Sequence, residues 1–282
     1  MKKQLILAGT GILFVAFLFI FGRTSEPKNA ISAKPETPEN SSFKVEEFIS
    51  TERQKLSPSQ VLYLSSLENS VKRGDVLSQQ ITAYHNIAHF WKDSARLFEP
   101  YAFWLSKAAK LDNSEKNLTF AAQLFLEKLR SEHDRAKLNW EKNEAISLFE
   151  KAIALNPEND DLRIGLGSCY VFGAGANGDP QETMKGITQL LTVVRKDSTN
   201  MKAQMVLGVG GYVSGQYDKA VERFQKVIAK EPDNIEAIAF LADTYAAKGD
   251  KEEAIKWYTV SKRLVNNSNY SREVDERIRM LK

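Results

Sequence analysis

The stretch FEKAIALNPEN, residues 149–159, returns in altered form as FQKVIAKEPDN, residues 224–234. Two further copies align with it: LLTVVRKDSTN, residues 190–200, and YTVSKRLVNNS, residues 258–268. The four copies begin at residues 149, 190, 224 and 258, so that successive starts are 41, 34 and 34 residues apart. Self-similarity at a period of this size indicates an array of repeated supersecondary units.

Each period carries the pattern of two helices. Ala220, Phe224 and Val227 fall at i, i+4 and i+7, which is one face of an α-helix. A second phrase precedes this helix, with Leu-Gly at residues 207–208 and Leu-Ala at residues 241–242, again 34 residues apart. A small residue beside a large one lets two helix backbones approach closely. The sequence therefore predicts a series of helical hairpins.

Turn residues separate the predicted helices. Gly215 and Gly249 are suited to the left-handed position that ends the first helix of a hairpin. Pro157 and Pro232 stand where the second helix of a hairpin has to stop, because proline cannot continue a helix.

This pattern resembles the tetratricopeptide repeat, a helix-turn-helix unit with Leu-Gly, Tyr, Ala, Phe, Ala and Pro at matching offsets. The resemblance is closest over residues 201–268 and good over residues 143–196. It departs at Gly186, which replaces the usual alanine, and at the insertion VFGAGANGDP, residues 171–180. The resemblance implies an all-α fold, a tetratricopeptide-repeat-like solenoid of stacked helix-turn-helix units.

The chain divides into five parts. We predict an N-terminal transmembrane signal-anchor, a disordered linker, a degenerate helical N-terminal part of the solenoid, the repeats and a C-terminal capping helix. In that order they cover residues 1–22, 23–42, 43–116, 117–268 and 269–282. The four repeats cover about residues 117–159, 160–200, 201–234 and 235–268.

The predicted anchor is an uncharged run that begins at Leu5, ends at Phe21 and follows Lys2 and Lys3. As a helix it would span about 26 Å, close to the hydrocarbon thickness of a bilayer. No small-x-small cleavage site follows it, which favours a single uncleaved span over a removed signal peptide. We expect the N-terminus to lie in the cytoplasm, the anchor in the inner (cytoplasmic) membrane, and the repeats in the periplasm or another extracytoplasmic space.

Composition excludes several classes of protein. Hydrophobic residues make up 43% and charged residues 27%, which is a globular composition, and the net charge of +3 is spread along the chain. No basic patch therefore points to nucleic acid. Cys169 is the only cysteine, so that an intramolecular disulfide and every multi-cysteine metal or redox motif are excluded. We interpret Cys169 as a small core residue.

Two motifs that could indicate catalysis, a pair of histidines and a glycine-rich run, lack the residues that such sites need. His85 and His89 are four residues apart, as in zinc metalloproteases, but Asn86 stands where those enzymes carry the general base, and His133 lies in a different helix. The run GAGANG, residues 173–178, has no Gly-Lys-Ser/Thr ending and follows a helix, which favours an inter-helix loop over a phosphate-binding loop. We predict no catalytic residue, cofactor or metal. A metal-dependent hydrolase using His85 and His89 remains the remote alternative.

The family resemblance implies a concave groove lined by the first helix of each hairpin. Its inward positions are the second, fifth, ninth and twelfth of each repeat. In this chain they are Asp161, Ile164, Ser168, Val171, Lys202, Met205, Val209, Tyr212, Glu236, Ala239, Asp243 and Ala246. Any of them could instead pack against neighbouring turns.

The residue types at these positions predict the chemistry of a partner. Ile164, Met205, Val209 and Tyr212 would form an apolar centre, and Asp161, Glu236 and Asp243 an acidic rim. Such a surface suits an apolar or amphipathic segment with some positive charge. With one lysine in the set, it does not resemble the repeats that clamp the carboxyl terminus of chaperones.

The sequence thus predicts a membrane-anchored adaptor or scaffold that binds a protein or peptide partner and performs no catalysis. An alternative of a different class is a structural, self-assembling envelope protein. In that case the groove is filled by the chain's own tether or by a second copy.

Overall fold

The computed structural model describes residues 42–73, 76–173 and 180–282. These residues form thirteen α-helices and one π-helical segment, Phe90–Ala95, and contain no strand. The α-helices are α1 (Val45–Arg53), α2 (Pro58–Arg73), α3 (Leu77–His89), α4 (Phe98–Asp112), α5 (Glu115–Leu129), α6 (Arg135–Leu155), α7 (Asp160–Gly173), α8 (Pro180–Lys196), α9 (Met201–Val213), α10 (Tyr217–Lys230), α11 (Ile235–Lys248), α12 (Lys251–Leu264) and α13 (Ser268–Leu281).

The predicted anchor, residues 1–22, lies outside the described residues, as does all of the predicted linker except Ser42. In the part of the chain that is described, no helix combines the length and the apolar character needed to cross a membrane. The insertion between α7 and α8 is described at its two ends, since residues 174–179 are also outside the described ranges.

The helices pack in consecutive hairpins: α3 with α4, α5 with α6, α7 with α8, α9 with α10, and α11 with α12. The first helices of successive hairpins also touch, because α7 contacts both α5 and α9, and α9 contacts α11. Helix α13 packs on α12. This arrangement confirms the predicted all-α solenoid, and it makes α5, α7, α9 and α11 one continuous wall.

The helix ends are set by asparagine caps, which were not predicted, and by the predicted glycines. Asn200 and Asn234 cap α9 and α11, since their side chains accept hydrogen bonds from the amides of Ala203 (3.0 Å) and Ala237 (2.9 Å). After the first helices of the hairpins α9–α10 and α11–α12, Gly215 (φ 73°) and Gly249 (φ 88°) take the left-handed conformation. The two glycines confirm the expectation from their spacing.

Small residues in the first helix receive large side chains from the second. A Cβ atom added to Gly208 would lie 2.5 Å from the ring of Phe224, and one added to Gly167 would lie 2.7 Å from Leu190. Both large residues are fully buried. Leu190 and Phe224 open two copies of the repeated phrase, so the same contact recurs one repeat further along the chain.

Gly186 departs from the family pattern for a packing reason. A Cβ atom at this position would lie 2.7 Å from the carbonyl oxygen of Gly167, a separation that carbon atoms in proteins do not tolerate. The alanine usual at this position would therefore force α7 and α8 apart. The glycine allows an unusually close approach within this hairpin.

The N-terminal part is packed differently. Its core is formed by Leu64, Ile87, Phe90 and Trp91, around the π-helical segment that follows α3. Arg96, which directly follows this segment, has a left-handed φ of 56°. Pro100 lies in the first turn of α4, where proline is tolerated, and so it begins that helix and does not kink it.

Candidate protein-binding groove

The twelve predicted groove residues lie on α7, α9 and α11, but their exposure differs. Asp161, Lys202 and Glu236 are exposed, whereas Ala239, Asp243, Ala246, Met205 and Tyr212 are half-buried. The remaining four are buried: Ile164, Ser168, Val171 and Val209. The structure thus divides the set into residues that a partner can reach and residues that hold the wall together.

The buried valines form the floor of the groove. Val171 is 1% exposed and Val209 is 3% exposed, and both belong to the continuous core of the repeats. A Cβ atom at Gly210 would lie 3.1 Å from Ile187 and 3.5 Å from Val171, so α9 approaches α7 and α8 closely. Because these helices are so close, the two valines pack between them and do not face solvent.

Met205 and Tyr212 provide the apolar surface that remains accessible on α9. The ring of Tyr212 lies 6.1 Å from that of Phe240 and 6.3 Å from that of Tyr217. Burial raises the pKa of Tyr212, and the neighbouring charge of Asp243 adds to this. The hydroxyl therefore stays protonated at neutral pH. Tyr212 thus presents an apolar ring that ends in an uncharged polar hydroxyl.

The three carboxylates of the predicted rim are each paired with a cation of the same chain. Asp161 lies 3.2 Å from the Lys202 ammonium. Asp243 lies 2.6 Å from the Arg277 guanidinium and also accepts a hydrogen bond from the Tyr258 hydroxyl. Burial, together with this bond, raises the pKa of Tyr258 to about 12.

The third pair crosses the groove. Glu236, at the start of α11, pairs with Arg130, which directly follows α5. The guanidinium of Arg130 also stacks over the ring of Phe172 on α7 at 4.7 Å. The acidic rim expected from the sequence is therefore already neutralised within the molecule.

Sequence reasoning missed these pairings for different reasons. Arg277 follows Asp243 by 34 residues, and Lys202 follows Asp161 by 41, which are the spacings of the repeat itself. Both pairs thus join equivalent positions of adjacent units, and the register could have revealed them. Arg130 and Glu236 are 106 residues apart in the chain, and no periodic signal connects them.

Helix α5 adds a stretch of wall that the predicted set omitted. Lys116, Thr119, Phe120 and Gln123 contribute to a depression of about 510 Å³. Phe120 is 56% exposed, which is unusual for an aromatic side chain in the middle of a helix. The predicted inward positions begin at residue 161, so they do not include this face of α5.

His85 and His89 lie on α3, outside the predicted groove, and Cys169 is buried within α7. His89 is exposed, with its Nδ1 atom 3.5 Å from Asp93, and His85 is half-buried. Within the described ranges no three histidine, cysteine or acidic side chains gather where they could hold a metal ion. Cys169 is fully buried, and burial raises the pKa of its thiol far above the ordinary value.

Comparison with known proteins supports the repeat assignment. Residues 214–272 match the family model described as tetratricopeptide repeat. No curated protein matches the chain. Among solved structures, a tetratricopeptide repeat protein from Parabacteroides merdae is similar, with a TM-score of 0.56, 14% identity, and coverage of 84% of this chain and 86% of that one.

Two other similar structures share less of the overall geometry. One is YrrB, described as a tetratricopeptide repeat protein with an unusual peptide-binding site (TM-score 0.45, 19% identity, 74% of this chain and 97% of that one). The other is MamA from Desulfovibrio magneticus RS-1 (TM-score 0.48, 19% identity, 65% and 94%). From the family match over residues 214–272 and the helix packing, the described part of the chain is a tetratricopeptide-repeat-like helical solenoid.

Proposed function

We propose that the protein is a protein-interaction scaffold whose concave wall binds an apolar or amphipathic segment of a partner. The observation that carries this proposal is the accessible apolar surface on the first helices of the hairpins. It includes Met205 and Tyr212 on α9 and Phe120 on α5. Exposed aromatic and methionine side chains in a concave surface are typical of protein interfaces.

The apolar residues would supply most of the affinity. Complete burial of one methionine or phenylalanine side chain contributes about 1.5 to 3 kcal/mol. Because Asp161, Glu236 and Asp243 are already paired, a basic residue of the partner would have to displace an internal cation to reach them. We therefore expect shape and apolar contact to select the partner more than charge does.

We further propose that the segment from Leu5 to Phe21 anchors the protein in the inner membrane and that residues 23–42 act as a tether. The uncharged run and the proline-rich, polar composition after it support this proposal. Carbonate extraction of membranes, combined with protease treatment of intact spheroplasts, tests it. An integral, protease-accessible protein is expected, and release by carbonate would contradict anchoring.

A capture experiment tests the binding surface. Met205→Glu places a charge on a half-buried site, so it should abolish capture of the partner while leaving the fold intact. The matched control is Lys226→Glu on α10, an exposed site on the second helix of the same hairpin. If Met205→Glu captured the partner as well as the control did, α9 would not be part of the interface.

The same experiment separates scaffold from self-assembly. If the groove were filled by a second copy, the molecular mass would depend on concentration, and Met205→Glu would remove that dependence. A mass that does not vary with concentration, together with loss of capture of a different protein, is the expected result.

A further inference from the structure

The contact between Arg130 and Glu236 is unusual for a solenoid. In stacked repeats, each unit touches its immediate neighbours. Arg130 directly follows the first helix of the hairpin α5–α6, whereas Glu236 opens the first helix of α11–α12, three hairpins further along. The ion pair thus joins two non-adjacent parts of the inner wall.

A second contact fixes Arg130 from α7, one of the two inner helices that lie between α5 and α11. The ring of Phe172 on α7 lies under the guanidinium at 4.7 Å. Three inner helices, α5, α7 and α11, are therefore connected through one arginine side chain. We call Arg130, Phe172 and Glu236 the clasp.

We propose that the clasp is an autoinhibitory contact that holds the binding groove in a closed form and opens when the partner enters. This inference rests on the proposed function of the groove. Arg130 and Glu236 retain 46% and 43% of their side-chain exposure, so water and salt reach the pair. An exposed ion pair and a cation–π contact together favour the closed form by a factor on the order of ten.

A preference of this size for the closed form is small enough for a partner to reverse when it binds. A partner that binds only the open form has a lower apparent affinity, because only the open fraction of the molecules can bind it. Breaking the clasp should therefore tighten binding by about the same factor. Salt should have a similar effect on the clasp, because screening weakens exposed ion pairs.

The test measures the width of the groove without any partner. Nitroxide labels are placed on Gln123→Cys in α5 and Ala247→Cys in α11, both at exposed positions, and their separation is measured by pulsed electron paramagnetic resonance. Cys169 does not interfere, since it is fully buried and its thiol remains protonated. The full chain is used in its native membrane or in detergent.

We expect one short distance in the parent protein and a longer or broader distribution after Arg130→Gln or Glu236→Gln. The control is Lys202→Gln, which breaks a more exposed ion pair between the first helices of adjacent hairpins and should leave the distance unchanged. The combined exchange Arg130→Glu with Glu236→Arg should restore the short distance in part. Circular dichroism checks that each variant is folded.

Identical distance distributions in the parent protein, Arg130→Gln and Glu236→Gln would contradict the proposal that the clasp closes the groove. The proposed function would survive that result, because the distance is measured in the absence of a partner. Conversely, a clasp that opens as expected in a protein whose groove captures nothing would count against the proposed function alone.

Discussion

The two halves of the solenoid differ in how completely their buried polar side chains are hydrogen-bonded. Buried side-chain atoms without a hydrogen-bond partner among the described residues are concentrated before residue 160: Trp91 Nε1, Trp104 Nε1, Thr119 Oγ1 and both carboxylate oxygens of Glu141. From residue 160 onward, the described part of the chain has one such atom, Arg163 Nε. From residue 160 onward almost every buried polar group has a hydrogen-bond partner, whereas the part before residue 160, which includes the first repeat, leaves several without one.

This difference shows how a repeated sequence contributes to regular packing of the helices. In the C-terminal half, one contact between a small and a large residue recurs, so that the hairpins α7–α8 and α9–α10 pack in the same way. In the N-terminal half, Trp91 is fully buried but its indole N–H has no partner. An unsatisfied buried donor costs about 1 to 3 kcal/mol, so this half relies on apolar packing to offset it.

The largest expected effect concerns the regular half. Phe224→Ala removes a fully buried ring that lies against Gly208 and stacks on Phe240 at 5.7 Å. We expect a loss of about 3 to 5 kcal/mol in the free energy of unfolding, measured by urea denaturation. A loss below about 1 kcal/mol would mean that the repeat core is not packed around this ring.

Glu141 is fully buried on α6, in the part of the solenoid before residue 160. Burial raises its pKa from the ordinary value of 4.5 to about 8, with the charge of Glu132 adding to the effect. Between these two pH values the folded state holds a proton that the unfolded state has released. The free energy of unfolding should therefore fall as pH rises from about 4.5 to about 8.

Glu141→Gln removes that titration. We expect the variant to be more stable at pH 8 by an amount on the order of 3 kcal/mol and nearly equal to the parent protein at pH 4. Thermal denaturation at both pH values provides the measurement. The exposed Glu127→Gln on α5 is the control, and equal stabilisation by both substitutions would contradict the account.

A smaller effect is expected for Gly208→Ala. The added methyl group would lie 2.5 Å from the Phe224 ring, so the ring or the helix has to move. Such overpacking costs about 1 to 3 kcal/mol. The control is Ser214→Ala, an exposed position near the end of the same helix, and an equally small change in both variants would show that α9 and α10 are not in close contact.

The smallest effect should follow from Trp91→Phe in the irregular half. The substitution loses packing volume but also removes the unsatisfied indole N–H, and the two changes oppose each other. We expect a net change within about 1 kcal/mol in urea denaturation. A loss as large as that of Phe224→Ala would show that both halves are packed with equal precision.

The sequence predicted the fold well where the repeat is regular. The positions of Phe224, Gly215 and Gly249 indicated the helices and their ends, because each of these residues has one local role that its spacing reveals. The π-helical segment, Phe90–Ala95, was not predicted, since its core of aromatic side chains shows no periodic pattern.

The candidate site was predicted less completely. The position of each residue within its repeat placed the groove residues on the first helices. Their exposure, however, depends on how closely those helices approach one another. Gly210 brings α9 near Val171, and as a result Val209 lies in the floor of the groove. The pairing of Glu236 with Arg130 depends on the curvature of the whole wall, which no local pattern encodes.

The most direct test of the proposed groove is photocrosslinking in cells, with a photoreactive residue at the half-buried Met205 and a control at the exposed Glu276 on α13. Met205 is the better site because Val209 is buried and its replacement would disturb the floor. The account predicts crosslinks to a partner protein from Met205 and none from Glu276. Equal crosslinking from both positions, or partner crosslinks from Glu276 alone, would contradict it.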